Sequence, residues 1–131
     1  MCKLTLLSYW SVVVDMSNFT IYHNPRCSKS RKTLDLLRSN NIEPQIILYL
    51  KDPPTEKEIS GLLKKLNISA RDLLRKNEEA YKINGLSDKS ISENDLISIM
   101  RTFPKLIERP IVVKGNTAVL GRPPENVNKL I

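Results

Sequence analysis

The run His23-Asn24-Pro25-Arg26-Cys27-Ser28-Lys29-Ser30-Arg31 concentrates the chemistry of this sequence. Cys27 lies among Arg26, Lys29, Arg31 and Lys32, and no Asp or Glu occurs between Tyr22 and Leu34. A free thiol is only about 3% ionised at pH 7, and the thiolate is the nucleophile. Neighbouring cations favour the thiolate, as does a helix N-terminus, whose unpaired N–H groups and dipole stabilise an anion. Free cysteines are often buried and inert. Here the polar, cationic surroundings and Pro25 place Cys27 on a loop at a helix start, which points to a catalytic thiolate. Ser30 stands three residues on, where a Cys-x-x-Cys redox site would carry its resolving thiol. Cys27 therefore has no local disulfide partner, and any adduct it forms must be resolved by an external thiol unless Cys2 can reach it. Ser30 reads equally as a first-turn hydroxyl satisfying a backbone donor. His23 reads as a polar residue closing a strand, and Asn24 as a loop residue bonded to its own backbone.

The elements that would hold this loop follow from periodicity. Phe19, Ile21 and Tyr22 suit a short strand from Asn18 to Tyr22, and His-Asn-Pro is turn chemistry. Thr33, Leu34 and Leu37 recur at helical spacing over Ser28 to Ser39, with no Gly or Pro. The compact apolar run from Gln45 to Leu50 reads as a buried strand, completing a right-handed βαβ unit. After Pro53-Pro54, Thr55-x-x-Glu58 forms a capping box for a helix with Ile59, Leu62, Leu63 and Leu66 on one face. Ser69-x-x-Asp72 and Ser92-x-x-Asp95 open two more helices. The tail returns to strands, Ile111 to Lys114 and Thr117 to Leu120, joined by the hairpin dipeptide Gly115-Asn116. Gly121-Arg122-Pro123-Pro124-Glu125 then starts a final short helix. One shared sheet and core are expected.

The hairpin register carries a chemical consequence. If Gly115-Asn116 is the loop, Lys114 pairs with Thr117, and Arg109 faces Arg122. Like charges opposite one another, with Cα atoms about 5 Å apart, are unfavourable unless an anion sits between them or the strands splay. In a four-stranded sheet with the hairpin antiparallel to the first strand, both arginines lie at the edge where Cys27 stands. Arginine's planar donor fork matches tetrahedral oxyanions.

The totals narrow the class. A chain of 131 residues with 21 Lys and Arg against 14 Asp and Glu carries a net charge of +7, which biases it toward anionic partners. Two cysteines and one His make neither a disulfide scaffold nor a zinc set. No metal, no membrane span and a reducing, cytoplasmic setting are expected. Aromatic content of 5% leaves little for base stacking, so nucleic acid is not the expected partner. Residues 1–15 are a poor signal peptide and read as an extension of doubtful nativeness, with a single domain over 16–131.

At this point the sequence resembles the glutaredoxin-coupled arsenate reductase family. The motifs are His23-Asn24-Pro25-x-Cys27-x-x-Ser30-Arg31-x-Thr33, Leu73-Leu74-Arg75-Lys76-Asn77, Glu108-Arg109-Pro110-Ile111-Val112-Val113 and Gly121-Arg122-Pro123, and the tail looks closer to the shorter chromosomal branch. The resemblance implies an α/β, thioredoxin-like fold: a βαβ–ββα four-stranded mixed sheet with a helical insertion. It implies that Cys27 attacks arsenate or a similar small oxyanion held by Arg75, Arg109 and Arg122. Glutathione as co-substrate and glutaredoxin as partner would complete reduction to arsenite. No bound cofactor and a monomer are expected. Pro110 would be a cis proline facing the thiol, with His23, Asn24 and Ser30 supporting it. Arg75 enters through the resemblance alone, since periodicity makes it a solvated helix end. Two other readings are a monothiol glutathione-dependent oxidoreductase without arsenate specificity and a redox-related regulator that binds RNA polymerase.

Overall fold

The computed structural model describes residues 18–131. The reading of residues 1–15 as an extension, and Cys2 with it, lies outside the described residues.

The sheet has four strands: β1 (Phe19–Tyr22), β2 (Gln45–Ile47), β3 (Ile111–Lys114) and β4 (Thr117–Leu120). Their spatial order is β2-β1-β3-β4, with β2 parallel to β1 and β3 antiparallel to both β1 and β4. Helix α1 (Ser28–Ser39) crosses from β1 to β2. The insertion between β2 and β3 holds α2 (Glu56–Leu66), α3 (Ala70–Leu73), α4 (Glu79–Ile83), α5 (Glu93–Thr102) and a 3-10 turn, Pro104–Leu106. A second 3-10 helix, Pro124–Lys129, ends the chain. None of the described helices is long and apolar enough to cross a membrane.

Strand alternation sorts side chains into two cores. Phe19, Ile21 and Val112 face α1 and the terminal 3-10 helix, packing with Leu34, Leu37, Val127 and Leu130. Tyr22, Ile111, Val113 and Ala118 face the insertion, packing with Ile59, Leu62, Leu73, Leu96 and Met100. The expected caps are present. Thr55 and Glu58 exchange backbone bonds at 3.1 and 2.9 Å, while Ser69 and Ser92 accept from the amides of Asp72 and Asp95. Each such cap stabilises its helix by about 1 kcal/mol.

Three expectations need correction. The second strand ends at Ile47, not Leu50, and is a partly exposed edge strand instead of a buried one. Only Thr20–Tyr22 is available to pair with it. The chain then turns, with the amides of Lys51 and Asp52 both donating to Leu48 O, which buries Tyr49 and leaves Leu50 at the surface. Helix α4 was not foreseen, because it has no capping side chain and no buried residue to set a periodicity. The last element is 3-10 instead of a regular short helix.

The hairpin pairs as expected, Lys114 with Thr117 through Ile111 with Leu120. It continues one step further, where the Gly121 amide donates to Pro110 O at 2.9 Å. There α1 lies against the hairpin so closely that a Cβ on Gly121 would meet Thr33 Oγ1 at 2.5 Å and Pro110 Cγ at 2.7 Å. Gly121→Ala should therefore destabilise the fold by about 1–3 kcal/mol, as overpacking of a tight contact does. Urea unfolding measures it, and an unchanged midpoint would rule out the close approach.

Candidate active site

The end of β1, the start of α1 and the open end of the β3–β4 hairpin meet at one sheet edge, because Tyr22 pairs with Ile111 and Ile111 with Leu120. Cys27 is the N-cap residue of α1, in extended conformation, and its side chain makes no capping bond. It is half-buried and free, and it is the sole cysteine among the described residues. The first turn of α1 carries no acidic residue.

The loop before Cys27 is held by its own polar groups. Asn24 Oδ1 accepts from the Arg26 amide at 3.0 Å, the self-bonded loop expected of Asn. The Cys27 amide donates to Asn24 O at 3.0 Å, and Arg31 Nη1 reaches back to Pro25 O at 2.8 Å. Ser30 is fully buried, and its hydroxyl accepts from the Asn24 amide at 3.1 Å and meets His23 Nδ1 at 2.6 Å. Both bonds serve the loop, so this hydroxyl anchors the segment that presents Cys27. His23 is itself buried, with its amide bonded to Ile47 O at 2.9 Å. Burial holds its imidazole below the ordinary proton affinity, and the charges of Arg38 and Arg31 push the same way. A neutral ring accepting the Ser30 proton satisfies both groups.

The three expected arginines come together around a residue that was not expected. Glu108 Oε1 lies 3.5 Å from Arg75 Nε, 3.5 Å from Arg122 Nε and 3.7 Å from Arg109 Nη1. Arg75 also pairs with Glu78 at 2.5 Å. A one-residue bridge between Leu74 and Ile107 brings the end of α3 alongside this segment, with Arg75 N–H donating to Leu106 O and Glu108 N–H to Leu73 O. Arg122 Nη1 leans on Arg109 O at 3.4 Å. The Arg109-Pro110 and Arg122-Pro123 bonds are both cis. Arg109 Nε and Nη1 are buried with no hydrogen-bond partner. Three guanidiniums, two of whose buried nitrogens make no hydrogen bond, have the chemistry to receive an anion richer in oxygens than one carboxylate.

Tyr49, nearly fully buried, shares this surrounding. Burial raises its hydroxyl's affinity for its proton, the Arg75 charge works against that, and the charges of Cys27, Glu108 and Glu78 add to it. Spacing gave no sign of Tyr49, Glu78 or Glu108, although Glu108 adjoins Arg109 in sequence. A larger surface hollow of about 580 Å³ among α2, α3 and α5 contains neither the thiol nor any arginine.

The chain has a single His, so its ring signals titrate without ambiguity. Their midpoint is expected below the ordinary 6.5, and the unfolded chain should take up the proton first. The stability this group contributes is then complete above 6.5 and lost as pH falls from 6.5 toward that midpoint, a loss made shallower by His23→Gln. NMR titration and pH-dependent unfolding test this. A midpoint at or above 6.5 would contradict the buried neutral ring.

With the geometry in place, comparison with known proteins gives a consistent answer. A model described as the ArsC family matches residues 22–130. An arsenate reductase of Escherichia coli strain K12 is 47% identical over 116 residues, covering 88% of this chain and 82% of that protein. The uncharacterised protein YfgD of the same strain is 52% identical over 112 residues, covering 85% and 94%. The structure of an arsenate reductase from Vibrio cholerae superposes with a TM-score of 0.86 at 44% identity, over 89% of this chain and all of that one. The mixed four-stranded sheet is thus the thioredoxin-like architecture of these proteins, and the chain belongs to the ArsC family.

Proposed function

We propose that this protein reduces arsenate to arsenite, with Cys27 as nucleophile and external thiols as reductant. The observation that carries the reading is the convergence of Arg75, Arg109 and Arg122 at the sheet edge where Cys27 heads α1, with two buried Arg109 donors that make no hydrogen bond. The arsenate reductases of 47% and 44% identity support the choice of oxyanion.

In this scheme the arginines neutralise and orient arsenate, and the Cys27 thiolate attacks arsenic. An S–As bond forms and an As–O bond breaks, the oxygen leaving as water after protonation. Preorganised cations suit this step, because they stabilise charge on the remaining oxygens without reorganising. Glutathione then replaces a second oxygen, again as water, giving an arsenic bonded to both sulfurs. A glutaredoxin thiolate attacks the glutathione sulfur. The S–S bond formed takes the glutathione, and the As–S electron pair stays on arsenic, reducing it from As(V) to As(III). Hydrolysis of the remaining Cys27–As bond releases arsenite. The absence of a cysteine at Ser30 fits a scheme whose second and third thiols come from outside.

A groove of about 330 Å³ beside the Cys27 loop, lined by His23, Pro25, Leu48 and Leu50 with Arg26 and Lys51 at hand, offers cations for the two carboxylates of glutathione. Its occupant would lie against the loop that presents the thiol.

The test is a coupled assay with arsenate, glutathione, glutaredoxin and NADPH. Turnover is expected in the wild type and none in Cys27→Ser. Arg109→Ala and Arg122→Ala should each lower kcat/KM by about a hundredfold, the scale for losing a preorganised charge-stabilising donor. Equal rates in wild type and Cys27→Ser would falsify the mechanism. Turnover of a glutathionylated disulfide with none of arsenate would favour a general monothiol oxidoreductase.

A further inference from the structure

Glu108 sits at the centre of the guanidinium cluster, yet no step of the proposed reaction uses it. Its contacts with Arg75, Arg122 and Arg109, at 3.5, 3.5 and 3.7 Å, are charge contacts longer than hydrogen bonds. Its carboxylate does accept from the Arg109 backbone amide at 3.3 Å. Its own amide is tied to Leu73 O at 2.9 Å, so the residue is rooted in the bridge between α3 and the segment before β3. The cluster therefore holds its carboxylate in place while Arg109 Nε and Nη1 still make no hydrogen bond.

A carboxylate accepts hydrogen bonds and donates none. All three guanidiniums lie within 3.7 Å of Glu108 Oε1, so an oxyanion held on the edges that face Glu108 stands beside that oxygen. If the facing oxygen of the ligand carries no proton, two acceptors of like charge oppose each other. If it carries a hydroxyl, the same contact becomes a charge-assisted O–H···O⁻ bond, among the stronger kinds. Arsenate and phosphate retain at least one proton at neutral pH, whereas sulfate has none. The charge count agrees, since Arg75, Arg109 and Arg122 against Glu78 and Glu108 leave one net positive charge, which matches a dihydrogen monoanion, a form open to arsenate and phosphate near neutral pH and closed to sulfate.

We propose that Glu108 is a specificity-determining residue that makes this pocket require a proton on its ligand, admitting hydrogen arsenate and hydrogen phosphate and rejecting sulfate. The inference rests on the reading of the arginine cluster as an oxyanion site. Phosphate is the probe of choice, because it shares arsenate's shape and protonation and does not stay on the thiol.

Calorimetric titration of the full chain with inorganic phosphate and with sulfate, at neutral pH and equal low ionic strength, tests it. The wild type should bind phosphate about tenfold or more tighter than sulfate, a difference of about 1.4 kcal/mol. Glu108→Gln, whose amide both accepts and donates, should raise sulfate affinity about tenfold and nearly close the gap. Equal affinities in the wild type would overturn the inference while leaving the anion site standing, and so would a gap that survives in Glu108→Gln. Binding of neither anion by either protein would sink the anion site and this inference together. Should Glu108→Gln fail to fold, judged by circular dichroism, the wild-type ratio and Glu108→Asn decide by the same criteria.

Discussion

Gly121 stands where helix α1 and the β3–β4 hairpin approach within less than the room a methyl group needs. That contact joins the two halves of the site. On one side Thr33 belongs to the helix that begins at Cys27, and on the other Pro110 and Gly121 share the pairing step just before Arg109 and Arg122. Thr33 Oγ1 donates to Lys29 O at 2.8 Å and lies 3.5 Å from Gly121 O, so the helix is keyed to the hairpin by a polar contact as well as by shape. With the cores fixed on both faces of a four-stranded sheet, little freedom remains for the thiol to shift relative to the guanidiniums.

Electrostatics sets the second constraint. Three half-buried guanidiniums crowd one locality, and their mutual repulsion is offset by Glu78 and Glu108. The balance is incomplete, because two nitrogens of Arg109 are buried without a hydrogen bond, which costs stability. Such a cost is ordinary at a site organised for a ligand instead of for the fold alone. The loop around Cys27 shows the opposite economy, with the polar groups of Asn24, Ser30 and His23 each bonded within the loop.

Much of this was legible in the residues. The caps at Thr55, Ser69 and Ser92 were readable because a hydroxyl three residues before a carboxylate, ahead of an apolar run at helical spacing, marks a helix start. The nearness of Arg109 and Arg122 was readable from a two-residue hairpin, whose register carries through Ile111–Leu120 to the Pro110–Gly121 step beside them. What stayed hidden depended on packing between distant segments. Arg75 reaches the cluster through the bridge from Leu74 to Ile107, which no periodicity announces. Glu108 looked like one more charge beside Arg109, because its role exists only once three separate segments converge on it. The length of β2 was misjudged for a related reason: an apolar run says how buried a segment is, not how long its neighbour is available to pair.

The bonding of Ser30 bears on how this scaffold could change by descent. Its oxygen accepts the Asn24 amide and meets His23 inside a fully buried space. A sulfur at that position would be larger and a far weaker hydrogen-bond partner, so gaining a vicinal thiol would mean loosening the loop that presents Cys27. Position 30 is therefore a place where the order of the loop and a local dithiol compete for one side chain.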